Sequence, residues 1–175
     1  MIMSIEAFRD SVRQDVHLSA TQNRTFPRDE FLIHYTEDLI EAEEFTDFEQ
    51  VQYESSGSRR GSVLQIDGYY YDELDQSLGI FLCDFTDTLE AQTLTMRDVK
   101  VLFKREENFV TDSLNGFIQQ NAEESSPGYG LAVDINVRYK NVRSYKFYII
   151  SDRVKSRLIK EIPIGKIGDA YGEYY

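Results

Sequence analysis

Two apolar runs, each broken by one acid, constrain the fold most: Leu64-Gln65-Ile66-Asp67-Gly68-Tyr69-Tyr70-Tyr71-Asp72 and Leu78-Gly79-Ile80-Phe81-Leu82-Cys83-Asp84-Phe85-Thr86. Aliphatic and aromatic residues in this density predict two β-strands, and the polar stretch from Glu73 to Ser77 predicts the turn between them. Side chains alternate across a strand, so Leu64, Ile66 and Tyr70 are expected on one face and Gln65, Asp67 and Tyr69 on the other. In the second run Leu78, Ile80, Leu82, Asp84 and Thr86 fall opposite Phe81, Cys83 and Phe85. An acid inside such a run needs a partner, because a bare buried carboxylate is costly. If the strands are neighbours, Asp67 and Asp84 come within reach of one metal ion or one buried donor. The plainer alternative for each is a turn or edge acid paired with an Arg or a backbone amide.

With 175 residues, 41% of them hydrophobic, the chain can bury one ordinary core, and residues 1–175 read as a single domain. No apolar run approaches the roughly 20 residues that span a bilayer, which argues against a membrane partner. The start from Met1 to Gln14 has no apolar stretch of the secretory kind, so a cytoplasmic location is expected. Cys83 stands alone, cannot form an internal disulfide, and reads as a buried structural thiol rather than a nucleophile. A net charge of −12 disfavours indiscriminate nucleic-acid binding. The charge is unevenly spread, however: nine basic residues between Arg138 and Lys166 face only Asp152 and Glu161, a segment of net +7. That segment suits either a basic face for nucleic acid or an acidic partner, or a solvated surface balancing the acidic remainder.

Ile5, Phe8, Val12 and Val16 recur at helical spacing after Ser4, an expected N-cap. Pro27 fits the first turn of a second helix with Phe31, Tyr35, Leu39 and Ala42 inward and Glu37, Asp38, Glu41, Glu43 and Glu44 crowding its end. Phe48 to Tyr53 reads as a short strand, and Ser55 to Gly61 as a flexible connection, which makes a three-stranded meander. Thr95 and Asp98 predict a capping box, after which one apolar face runs from Val99 to Ile118. Residues from Leu131 to Val137 alternate like a strand, yet a core helix is preferred, and Tyr145 to Ile150 is a strand followed by the turn-prone Ser151-Asp152. The aromatic ending Gly172-Glu173-Tyr174-Tyr175 reads as a cut through a longer protein, of which this is the N-terminal part.

The run from Ile66 to Glu73 with that from Leu78 to Phe85, the acidic helix leading into Phe45-Thr46-Asp47-Phe48, and the segment Phe147-Tyr148-Ile149-Ile150-Ser151-Asp152 together resemble the N-terminal domain of the abortive infection phage resistance family. The resemblance spans most of the chain. It implies a bacterial phage-defence protein with a restriction-endonuclease-like fold, in α+β or α/β terms a strand meander flanked by helices. In such nucleases an acid on the second strand and an acid-x-Lys on the third hold Mg²⁺, which activates water while the Lys positions it. By this resemblance Asp67 and Asp84 take the acid positions, Thr86 stands where the Lys would be, Lys100 or Lys104 would have to supply it, and Glu41 or Glu44 would add a third acid.

Two functions follow as expectations: a Mg²⁺-dependent nuclease, or a degenerate nuclease fold that recognises protein or nucleic acid. Either is compatible with homo-oligomers and with contacts to the C-terminal remainder of its own chain. His17 and His34 are too few and too separated for a His-based site. The glycines from Gly165 to Gly172 read as turns rather than a phosphate loop, and Tyr69, Tyr70 and Tyr71 as packing residues before base-stacking ones.

Overall fold

The computed structural model describes residues 3–175, which form a mixed sheet covered by helices on both faces, an α+β arrangement. In chain order the elements are α1 (Ile5–Asn23), α2 (Pro27–Glu41), β1 (Glu49–Ser56), β2 (Val63–Asp72), β3 (Ser77–Asp84), β4 (Thr93–Leu94) and α3 (Met96–Leu114). They continue with α4 (Phe117–Asn121), α5 (Pro127–Val137), β5 (Ser144–Ser151), β6 (Val154–Lys155), β7 (Gly165–Ile167) and β8 (Ala170–Tyr174). The main sheet has the order β1-β2-β3-β5-β8-β7, while β4 and β6 pair separately. β1, β2 and β3 form the expected antiparallel meander; β5 then returns parallel to β3 through the helical crossover, and β8 lies parallel to β5.

Local chemistry explains the element starts. Ser4 Oγ accepts the Ala7 N–H at the head of α1, and Pro27 opens α2. The capping box is complete in both directions: Thr95 Oγ1 accepts the Asp98 N–H at 3.2 Å, and Asp98 Oδ2 accepts the Thr95 N–H at 2.9 Å. In the β2–β3 turn Asp72 Oδ1 accepts the Leu74 N–H, and Gln76 adopts a left-handed φ of 55°. The segment from Leu131 to Val137 is helical, within α5.

The helices divide the core in two. On one face α3 and α5 cover Leu64, Ile66, Leu78, Ile80, Leu82, Tyr145 and Phe147. On the other, α1 and α2 supply Val12, Val16, Phe31 and Leu32 against Tyr70, Phe81, Cys83 and Tyr148.

Tyr70 therefore lies opposite Leu64 and Ile66, not beside them. The alternation slips at Asp67-Gly68. Asp67 contacts Arg28 of α2, and Gly68, paired with Phe81, also faces the α1/α2 side, where its Cα lies against the Phe48 ring. At the slip the Asp67 carboxylate takes the Cys83 N–H, and β1 shifts register between Gln50 and Tyr53 opposite it, so a side chain does the accepting where a ladder carbonyl ordinarily would.

Other expectations change as well. The inward stripe of α1 begins only at Val12; Ile5 and Phe8 are 65% and 53% exposed, and Arg9 is buried instead. The apolar face from Val99 to Ile118 is not one helix, because Gly116 at φ 81° ends α3 and starts α4 in a new direction. The connection from Ser55 to Gly61 is not slack: buried Asp112 accepts the Ser58 N–H at 2.7 Å and its hydroxyl at 2.6 Å. The β7–β8 hairpin, turning at Gly168 with φ 60°, adds strands where only turns were expected.

Candidate functional site

Arg28 leaves the first turn of α2 and meets Asp67 on β2. Its Nη1 donates to Oδ1 at 2.6 Å and its Nη2 to Oδ2 at 2.8 Å, a two-pronged, charge-assisted contact. The Cys83 N–H donates to Oδ2 at 2.7 Å, and Arg28 Nη2 also reaches the Cys83 carbonyl at 2.8 Å. Both oxygens of Asp67, a residue 1% exposed, are thus engaged. Burial works against the charge on Arg28, but Asp67 outweighs it and raises the guanidinium pKa above its ordinary value. The Cys83 thiol is buried, donates toward the Arg28 carbonyl, and has its pKa pushed up by desolvation, as a structural thiol should.

Asp84 belongs to the other face. Its Oδ2 accepts from Ser151 Oγ and from Arg153 Nε, each at 2.7 Å, and Arg153 Nη1 lies 3.4 Å from Asp98 in the first turn of α3. Asp67 turns toward α2 and Asp84 toward α3, each with its own guanidinium. Among the described residues no three potential ligands gather to hold a metal. Glu41 is the last residue of α2 and Glu44 lies three residues beyond it, both exposed. Lys100 is exposed on α3, and Lys104 pairs with Glu107 at 2.8 Å.

Thr86, at the position of the expected Lys, serves a centre that the sequence did not reveal. Asp152, 9% exposed just beyond β5, accepts the Thr86 N–H at 2.8 Å, the Thr86 hydroxyl at 2.9 Å and the Asp87 N–H at 3.0 Å. Arg9 closes the charge, with Nη2 at 3.3 Å from Asp152 Oδ2, Nε at 2.9 Å from the Asp152 carbonyl and Nη2 at 2.6 Å from the Thr88 carbonyl. Asp152 therefore fastens the C-terminal ends of the parallel strands β3 and β5 to α1. A cavity of about 270 Å³ opens beside it between Phe8, Val12, Phe31, Tyr35 and Phe85. Ser151-Asp152 after an apolar strand was a visible signal; Arg9, 143 residues away, was not.

A second acid escaped notice because it sits at a helical position flanked by charges. Glu106 on α3 is fully buried and neither of its oxygens has a hydrogen-bond partner. Desolvation, then the Asp67 and Glu107 charges, hold its pKa well above the usual carboxylate range, against a smaller lowering by the Tyr148 backbone. The tyrosines pack: Tyr70 stacks on Phe45 and shares a 2.9 Å hydrogen bond with Tyr148, Tyr71 stacks on Tyr139, and Tyr69 donates to Glu49. The basic excess after Arg138 is partly neutralised, by Asp134 for Arg138, Asp75 for Lys146 and Asp84 for Arg153. No helix among the described residues is long and apolar enough to cross a membrane.

The family model described as the abortive infection phage resistance protein N-terminal domain matches residues 31–174. No curated protein and no solved structure matches the chain.

Proposed function

We propose that this chain, which belongs to the abortive infection phage resistance protein N-terminal domain family, serves phage resistance as a recognition module whose nuclease-like acid positions have become structural. A restriction-endonuclease-like frame is supported by the element order: helix α2, the meander β1-β2-β3, a helical crossover, and β5 parallel to β3. The single observation that carries the non-catalytic reading is the Arg28 guanidinium seated across both oxygens of Asp67. Its positive charge stands where a nuclease would need the cation, and Asp84 turns away to Arg153. Thr86 has a hydroxyl committed to Asp152 and no amine with which to position a water.

The competing reading is a Mg²⁺-dependent nuclease built on Asp67 and Asp84. Incubation of the protein with linear and single-stranded DNA and RNA in Mg²⁺ or Mn²⁺, beside an Asp67→Asn variant, separates the two. The recognition reading expects intact substrates in every lane. Cleavage that disappears in Asp67→Asn sinks it.

A further inference from the structure

α3 carries its apolar residues Val99, Leu102 and Phe103 inward and leaves Arg97, Lys100, Val101 and Lys104 along its outer side. Beside that side runs the connection from β1 to β2, and a shallow cleft is lined jointly by Arg59, Arg60, Val101, Lys104 and Arg105. Six cations thus share one continuous surface in a chain of net charge −12. Of the six, only Lys104 pairs with a carboxylate among the described residues. Arg59 and Arg105 bond the neutral groups Asn108 Oδ1 and Gln65 Oε1, and Asp98, the acid within this stretch of α3, is turned to Thr95 and Arg153.

Unneutralised like charges at such density repel one another and destabilise the free protein, so a surface that retains them is suited to an anionic partner. This surface is also built in advance. Asp112 holds Ser58 by two hydrogen bonds, the Ser62 hydroxyl caps the Arg59 carbonyl, and Asn108 donates to the Val63 carbonyl, so the arginines ride on a fixed loop. Fixing the loop before contact lowers the ordering cost of binding.

We propose that the outer side of α3 and the Arg59-Arg60 loop bind a nucleic-acid duplex through its phosphate backbone. The inference rests on the recognition reading above and names its ligand class. From Arg97 to Lys104 the helix rises about 10 Å, a length over which a duplex carries roughly six phosphate charges. The surface exposes no aromatic ring, only Val101, so it lacks the stacking platform that single strands need. The acidic remainder of the molecule does not veto the contact, because charges more than about 8 Å away are screened at physiological salt.

The test is fluorescence anisotropy with labelled 20-base-pair DNA and RNA duplexes, a labelled single strand and poly-glutamate, in EDTA over a salt series. The proteins are wild type, the triple variant Arg59→Ala, Arg60→Ala, Lys100→Ala, and the control Arg157→Ala, Lys160→Ala from the other basic segment. The expected result is binding of at least one duplex, weakened tenfold or more in the triple variant, whose log–log salt slope falls by about 2–3, with the control within twofold of wild type. Circular dichroism of the triple variant checks that it is folded; its substitutions are all on exposed side chains. Equal binding by wild type and triple variant, loss in the control instead, preference for the single strand or poly-glutamate, or no duplex binding by wild type each overturns the proposal. Cleavage on adding Mg²⁺ would overturn the recognition reading while leaving the surface standing, so the two failures are distinguishable.

Discussion

At the scale of the residue, Asp67 shows how one side chain can serve as either ligand or strut depending on what faces it. Here Arg28 faces it and engages both carboxylate oxygens. Removing it leaves a carboxylate 1% exposed with only the Cys83 N–H, and breaking a buried pair from one side ordinarily costs about 3–5 kcal/mol. Because Arg28 is itself partly exposed, the lower end, about 3 kcal/mol, is expected for Arg28→Ala in urea unfolding. Loss of under 1 kcal/mol would mean that Asp67 does not depend on the pair. Glu106 gives the opposite case, a buried acid with no cation paired to it among the described residues. Its folded pKa lies above the unfolded value near 4.5, so it contributes most at pH below that value and its contribution is lost as pH rises toward the folded pKa. Glu106→Gln removes this titration, so the variant should gain on wild type as the pH of the unfolding experiment is raised from 4 to 7; a difference constant with pH would refute the assignment. Asp67 and Asp84 were legible in the sequence as acids out of place in apolar runs. Their guanidinium partners lie 39 and 69 residues away and were not, since nothing local marks which of several arginines reaches them.

At the scale of the element, what the sequence disclosed were features enforced by neighbours in the chain. Thr95 and Asp98 form their box three residues apart, and Thr95→Ala should cost about 1 kcal/mol, read from the shift in the unfolding midpoint. The meander and its turn follow from alternation and from Asp72, again within a few residues. The slip at Asp67-Gly68 was hidden because it accompanies contacts with both neighbouring strands, the Cys83 N–H bond and the β1 register shift, and it reverses the face of Tyr70. That reversal lays the Tyr70 ring over Gly79, where a Cβ would stand 1.9 Å from a ring carbon. Gly79→Ala must displace a ring stacked on Phe45 and hydrogen-bonded to Tyr148, so a loss of about 1–3 kcal/mol is expected in thermal or urea unfolding. An unchanged midpoint would show that Tyr70 is not held there.

At the scale of the whole molecule, the mixed sheet carries two ionic anchors at the ends of β3 and β5 and one on β2. Asp152 ties α1 to the parallel strands, Asp84 ties them toward α3, and Asp67 ties α2 to the meander. The overall charge was readable from composition, but its geography was not: the basic segment after Arg138 is partly neutralised on folding, whereas cations from loop 57–62 and α3, scattered in sequence, come together with Lys104 alone of the six in an ion pair among the described residues. On the proposed reading Arg28, not a metal ion, completes Asp67, and thermal unfolding of wild type and Asp67→Asn across a Mg²⁺ series separates the two possibilities. A ligand that binds only the folded state raises its stability in proportion to RT ln(1 + [L]/Kd), about 2.7 kcal/mol at a hundredfold excess over Kd. With Arg28 in that place, the wild-type midpoint is expected to be unmoved by Mg²⁺ up to about 10 mM beyond the shift seen in Asp67→Asn. A saturating rise in wild type that vanishes in Asp67→Asn would contradict it and return Asp67 to metal binding.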